Sequence, residues 1–407
     1  MSLRTVLPDV DMSTEYGRAH PMRMRLPIFA GALGSKDVAR MHWDGLAAGA
    51  AVCGISLVVG ENVCGVDPEL EVDGAGRVVC SPEMERRVRL YRQWNEGYGE
   101  IVVQMGAEDA RLGVAEYVVQ RLGVESIELK WGRKAKCVKT GDLARAVELR
   151  RRGYVVIPNP ESPAMQAAFR VGAIREFEVH GRRGFVDEEG FLRSVESLRE
   201  LGVKRILLKS GAASARELML TMKWSSQARV DLLTIDAVNG GAAPGPGRIA
   251  QESSRGALDL RTTAGSYAQK LAARGAWVSD LALAGDFLGA AQIFGILSQG
   301  GPGFRAVCLG RAGMIASVAG DDLETMIRHR LLGQGEPLPR GVDALGARRD
   351  EVWASYEALQ ERFGAARMKR LPFGAIAMCA FVDKLKAELA QLMSEARRGR
   401  LGARGER

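Results

Sequence analysis

Short apolar runs alternate with amphipathic segments along most of the chain, and this alternation limits the fold more than any other feature. The runs are Leu26–Ala30, Gly54–Val59, Glu100–Met105, Ser126–Leu129, Tyr154–Ile157, Arg205–Lys209, Asp231–Asp236, Val278–Ala284 and Arg305–Leu309. They are short, contain β-branched residues and are bounded by turn formers, the pattern of buried strands. Between them lie segments of helical periodicity: Ser81–Trp94, Ala110–Leu122, Gly141–Arg152, Glu188–Leu201 and Ala264–Arg274. Strand and helix in alternation specify a parallel sheet, because parallel neighbours need crossover connections. Eight such units close into a (β/α)8 TIM barrel. The runs outnumber the places by one, and Tyr154–Ile157, which leads into Pro158–Pro163, is the weakest. Residues 140–200 are therefore expected to form an insertion or an extra layer. A doubly wound open sheet is the alternative, but no G-x-G-x-x-G follows an early strand, so a dinucleotide fingerprint is missing.

The barrel is expected over 1–320 and a helical extension packed on it over 321–397. In that extension Asp322–Leu332 and Asp350–Phe363 read as helices. A further helix, Ala375–Arg397, carries Phe381, Leu385, Leu389 and Leu392 on one face. Residues 398–407 read as a basic, disordered tail.

Apolar residues make up 46% and aromatics only 6%, so the core rests on Leu, Val, Ile and Ala. The net charge is +8, yet no basic stripe is interleaved with aromatics, which argues against nucleic acid as partner. Anionic small molecules remain. The six cysteines include no C-x-x-C pair and no Cys/His cluster with metal spacing, so no metal site is expected. Cys53 and Cys308 lie in apolar runs and read as plain core residues. No signal-peptide pattern and no apolar run of about 18 residues is present, so no membrane association and a cytoplasmic, thiol-reducing location are expected. A homo-oligomer is compatible with the exposed helices of the extension.

In a barrel, chemistry sits at the C-terminal ends of the strands. Here those ends carry Gln104, Glu128, Lys130, Lys209, Asp236 and Asp286. Asp236 ends the run Val230–Asp236 and is followed by a Gly-, Ala- and Pro-rich loop, in which Gly240 and Gly241 let the backbone approach a ligand closely. Lys209 is read two ways, as a cation holding an anionic ring or carboxylate and as a partner of Asp236 on the next strand. The segment Lys130–Lys139 holds five cations in ten residues, either a solvated loop or an anion site. Gly285 and Gly310–Arg311 follow the last two strands, where many barrels cradle a phosphate. Ser35 is placed to cap a helix beginning near Lys36. None of the four histidines lies at a strand end, which leaves Asp236 and Glu128 as acid candidates.

Several stretches resemble the FMN-binding, glutamate-synthase-like family, as its barrel standing alone. They are Phe29–Ala39, Val58–Glu69, Ser81–Gln104, Arg111–Val119, Ile127–Lys136, Val230–Gly241 and Phe373–Phe381, in family order. The resemblance implies FMN at the C-terminal mouth, with its ring met by Gln104 and Lys209, its pocket lined by Gly240 and Gly241, and its phosphate near Gly285, Gly310 and Arg311. It implies a small anionic amino or keto acid held by Lys130 and Lys136, with Arg133 beside them. It also implies an ammonia-supplying or electron-donating partner subunit, since no amidotransferase domain precedes the barrel. The family's G-Q-G-A-K reads Gly132-Arg133-Lys134-Ala135-Lys136 here, and its G-G-G-T-G reads Asn239-Gly240-Gly241-Ala242-Ala243. Asp286 replaces a glycine at the phosphate position, and no cysteine cluster for an iron–sulfur centre exists. Two further readings stay open: a flavin-free barrel that binds an anionic or phosphorylated ligand, and a non-redox FMN enzyme such as an isomerase.

Overall fold

The computed structural model describes residues 10–131, 137–180, 187–211, 214–237, 256–298, 303–328, 346 and 348–396. Its centre is a closed ring of eight parallel strands. They are β1 (Ile28–Leu33), β2 (Leu57–Val59), β3 (Ile101–Met105), β4 (Ser126–Trp131), β5 (Arg205–Gly211), β6 (Leu232–Asp236), β7 (Asp280–Gly285) and β8 (Phe304–Leu309). Each pairs with the next, and β8 pairs with β1 through Val307–Ile28, Cys308–Phe29 and Leu309–Ala30. The (β/α)8 barrel is thus the observed architecture, and the open sheet is excluded.

The ninth apolar run lies outside the ring. Val155–Ile157 joins Phe177–His180 and Cys137–Thr140 in a small antiparallel sheet between β4 and β5. It has its own core of Ala146, Leu149, Tyr154, Val156, Phe177 and Val179. This is the expected insertion. Three local expectations need correction. Ala110–Leu122 is two helices, Ala107–Arg111 and Val114–Gln120, because Gly113 turns left-handed at φ +68° between them. The helix expected from Ala264 begins at Ala257, since Leu260, Ala264 and Ala268 form one buried row with a spacing of four. Ser35 does not cap: Lys36 is the N-cap of Asp37–Met41, and the buried Ser35 Oγ has no hydrogen-bond partner among the described residues.

A strand hairpin, Thr14–Tyr16 with Met22–Met24, covers the N-terminal end of the ring. There the Tyr16 hydroxyl donates to Glu100 Oε1 at 2.6 Å, and Arg205 donates to Glu100 Oε2 at 2.7 Å. Ser126 Oγ donates to the same carboxylate at 2.5 Å, and Arg305 Nε donates to Asp280 Oδ1 at 3.0 Å. Above this layer the ring is filled by Phe29, Val58, Val102, Leu207, Leu232, Ala282 and Ala306.

Four helices sit at the β8–β1 seam: α1 (Trp43–Cys53), α2 (Ala312–Val318), α3 (Gly320–Arg328) and α4 (Phe373–Glu395). They meet at glycines. A Cβ on Gly45 would lie 2.8 Å from Gly374 Cα, and one on Gly320 only 2.4 Å from it. No side chain fits there, so the backbones themselves are in contact. Gly374→Val is therefore expected to destabilise by about 1–3 kcal/mol through overpacking, seen as a lower urea midpoint at unchanged m-value. Glu100→Ala leaves the buried Arg205 with Glu125, at 3.0 Å, as its carboxylate partner and is expected to cost about 1–3 kcal/mol in the same measurement.

Candidate active site

Side chains alternate inward and outward along each strand, so the positions above the apolar layers also face the ring interior. They are not apolar. Gln104 on β3, Glu128 and Lys130 on β4, Lys209 on β5 and Thr234 and Asp236 on β6 gather at the C-terminal end. Gln104 Nε2 donates to Glu128 Oε1 at 2.6 Å. Lys209 Nζ lies 3.1 Å from Asp236 Oδ1, and Lys130 Nζ lies 3.4 Å from Asp236 Oδ2. Asp236 thus serves two ammonium groups. In register, Lys209 stands beside Thr234 and Lys130, so its reach to Asp236 is the diagonal on an inward face.

Burial here is deep. Glu128 is 0% exposed, Lys209 3% and Asp236 7%. Burial alone would lower the Lys209 ammonium, but the Asp236 carboxylate, with Cys308 and Glu128, outweighs it and holds the group well above the usual lysine range. Burial raises the Glu128 carboxyl above its ordinary value, while Lys209 and Gln104 oppose that shift. Burial likewise pushes the Cys308 thiol up to about 12, against Lys209. Glu128 Oε2 and Thr234 Oγ1 are buried without a hydrogen-bond partner among the described residues. Unsatisfied polar atoms beneath a mouth mark where a ligand or water completes the shell.

Of the two readings of Lys209, the structure shows the pairing with Asp236. Gln104, Lys130, Lys209 and Asp236 come together as expected. Lys136, Gly240 and Gly241 lie outside the described residues, as does Arg133. The segments following β4, β5 and β6 (132–136, 212–213 and 238–255) are outside them too. Cys308 is a core residue, as expected, packed in the apolar layer beneath this cluster. Thr234 was missed because a lone Thr within LLTID looks like ordinary strand composition.

The phosphate position differs from expectation. Arg311 does not stand free: its backbone N–H donates to Asp286 Oδ1 at 3.3 Å and its Nε to Asp286 Oδ2 at 3.2 Å, with a further guanidinium contact. Gly310 N donates to Gly285 O at 2.9 Å, and the Phe287 ring covers Gly285, 3.0 Å from where a Cβ would sit. Asp286 thus accepts from both the backbone and the guanidinium of Arg311. The pair is at the surface, with the Arg311 side chain 70% exposed, so solvent and salt screen it strongly.

No family model matches the sequence, and no curated protein matches it. Among solved structures the chain is similar to a lactate oxidase of Pediococcus acidilactici, with 11% identity over 98% of this chain and 79% of that one, at TM-score 0.48. It is similar to (S)-mandelate dehydrogenase, described as a monotopic membrane protein, with 12% identity over 98% and 84% at TM-score 0.46. It is similar to the flavin-binding domain of baker's yeast flavocytochrome b2, with 12% identity over 98% and 71% at TM-score 0.48. None of these three is a glutamate synthase. At such identities the likeness concerns the fold, which the closed ring already establishes. No helix among the described residues is long and apolar enough to cross a membrane.

Glu128 supplies a pH test. Its raised folded value means that the protonated acid stabilises the fold fully below the unfolded value of about 4.3, and that this contribution is lost as pH rises through the folded value. Glu128→Gln removes that loss. The Tm of the variant is expected to gain on the parent as pH rises through this window and to run parallel above it. A Tm difference constant with pH by calorimetry would show that Glu128 titrates normally.

Proposed function

We propose that the barrel is an FMN-dependent oxidoreductase that acts on a small anionic acid at its C-terminal mouth. The observation that carries this reading is the convergence of Gln104, Lys209, Lys130, Glu128 and Asp236 from four strands on one end of one ring. The motif resemblance and the flavin-binding description of one structural neighbour point the same way. At the ring end the residues fit the group: an amide, two ammonium groups and an unsatisfied carboxylate oxygen suit a heteroaromatic edge bearing N–H and C=O. At the phosphate end they fit once Arg311 leaves Asp286, an exchange that exposed geometry makes inexpensive.

When bound, FMN supplies the hydride and electron chemistry. The chain supplies charge and orientation. Lys209 and Lys130 present positive charge preorganised by Asp236, which stabilises negative charge developing nearby without reorganisation. Gln104, anchored by Glu128, presents its amide in one orientation. Glu128, with its raised carboxyl, is the group able to hold a proton inside the barrel at a pH where exposed carboxylates have lost theirs. We assign Lys136 and Arg133 to the substrate carboxylate, Arg in bidentate fashion, and Gly240 and Gly241 to the cofactor pocket. An amino or keto acid is the finer reading, from the motif resemblance; a hydroxy acid is the alternative that the neighbours' names raise. A cytoplasmic location and a partner subunit supplying ammonia or electrons belong to this finer reading.

One observation favours a second function. Asp286 at the N–H of Arg311 suits a barrel that has given up the phosphate and binds a simple carboxylate without flavin. The visible spectrum and FMN titration separate the two. The first reading expects a flavin band that survives dialysis, or FMN-dependent thermal stabilisation of about 2.7 kcal/mol at a hundredfold excess over Kd. A colourless protein that FMN leaves unstabilised, while small carboxylates stabilise it, belongs to the second. In a flavin-loaded protein, Lys209→Met is expected to weaken FMN binding or slow flavin reduction at least tenfold while circular dichroism stays unchanged. Unaltered flavin affinity and reduction rate would reduce Lys209 to a structural ion-pair partner.

A further inference from the structure

The α1–α4 contact brings two thiols together. Along α1, Gly45, Gly49 and Cys53 recur every four residues and so share one face. Gly45 abuts Gly374, and Gly49 abuts Met378, whose Cβ lies 2.6 Å from where a Gly49 Cβ would be. The backbones stay close along this line. One turn on, Cys53 Sγ meets Cys379 Sγ at 3.5 Å, and both cysteines are free. Cys53 is half-buried and reachable, whereas Cys379 is 3% exposed. Cys53 packs against the core, as expected, and meets this second thiol there. Arg362 lies alongside: it donates to Val52 O at 3.2 Å and pairs with Glu96.

We propose that Cys53 and Cys379 form a redox modification site, oxidised by a small-molecule disulfide to a covalent tie between α1 and α4. The Cys53 thiolate attacks one sulfur of the reagent, breaks its S–S bond and releases one thiol. Cys379 then attacks Cys53 Sγ, forms the protein S–S bond and releases the second thiol; its proton goes to that leaving thiolate. Two electrons and two protons pass from the protein to the reagent, which ends as two thiols. Cys53 is the attacking residue because it is accessible, and Cys379 the resolving one because it is shielded. Cys64 and Cys308 are buried elsewhere in the barrel.

The test uses the full chain treated with oxidised glutathione and, in parallel, with dithiothreitol. Peptide mapping without reduction is expected to find a Cys53–Cys379 linked pair lighter by two hydrogens, with two fewer free thiols per chain. The oxidised form is expected to melt at a higher temperature, and dithiothreitol is expected to reverse the shift. Cys53→Ser should abolish both the linked pair and the shift, whereas Cys80→Ser should abolish neither. Two intact thiols after treatment, or glutathione retained on Cys53 with Cys379 free, would overturn the proposal. The wild-type map alone decides the matter if a variant fails to fold.

Discussion

A carboxylate inside a protein is tolerable only with positive charge beside it, and Asp236 has two such neighbours on two different strands. Lys209 and Lys130 can both reach it only if β4, β5 and β6 curve around a common axis. The ion cluster therefore requires the barrel, and the barrel in turn keeps the cluster dry. The opposite end repeats the logic with Glu100 shared by Arg205, Tyr16 and Ser126. Two polar layers thus bracket an apolar middle. In the lower one the Glu100 carboxylate has three donors and a hairpin closes the end, while in the upper one Glu128 Oε2 and Thr234 Oγ1 have no partner among the described residues. That asymmetry sets the two ends of the ring apart.

Much of the architecture was legible because it depends on period and order. Eight of the nine apolar runs became barrel strands, and the discarded run became the insertion sheet. Tyr154–Ile157 was separable because proline follows it. The boundaries shifted where local rules compete, as at Gly113, where a left-handed turn divides what looks like one helix. The start of the Ala257–Ala273 helix was hidden because its buried row is made of Leu260 and two alanines, a weak hydrophobic signal.

The site was legible in membership and less so in wiring. Polar residues ending apolar runs named Gln104, Lys130, Lys209 and Asp236. Sequence could not show that Asp236 bridges two lysines, because one of those contacts crosses an intervening strand. Nor could it show that Asp286 takes the Arg311 donors, since that depends on the adjacency of the loops after β7 and β8. Cys53 and Cys379 are 3.5 Å apart in space yet belong to opposite ends of the sequence, and only the glycine contact between their helices relates them.

The seam deserves a kinetic reading. Strands β8 and β1 meet there, and α4 covers the junction by lying on α1, α2 and α3 through Gly374. Residues 373–395 leave the ribosome after all eight strands. A nascent barrel accordingly lacks α4 until all eight strands have been made, and β1 and β8 must find each other across the whole length of the ring. Closure joins strands far apart in the chain beneath α4, so assembly of this barrel is slow by topology rather than by any weakness of its individual strands.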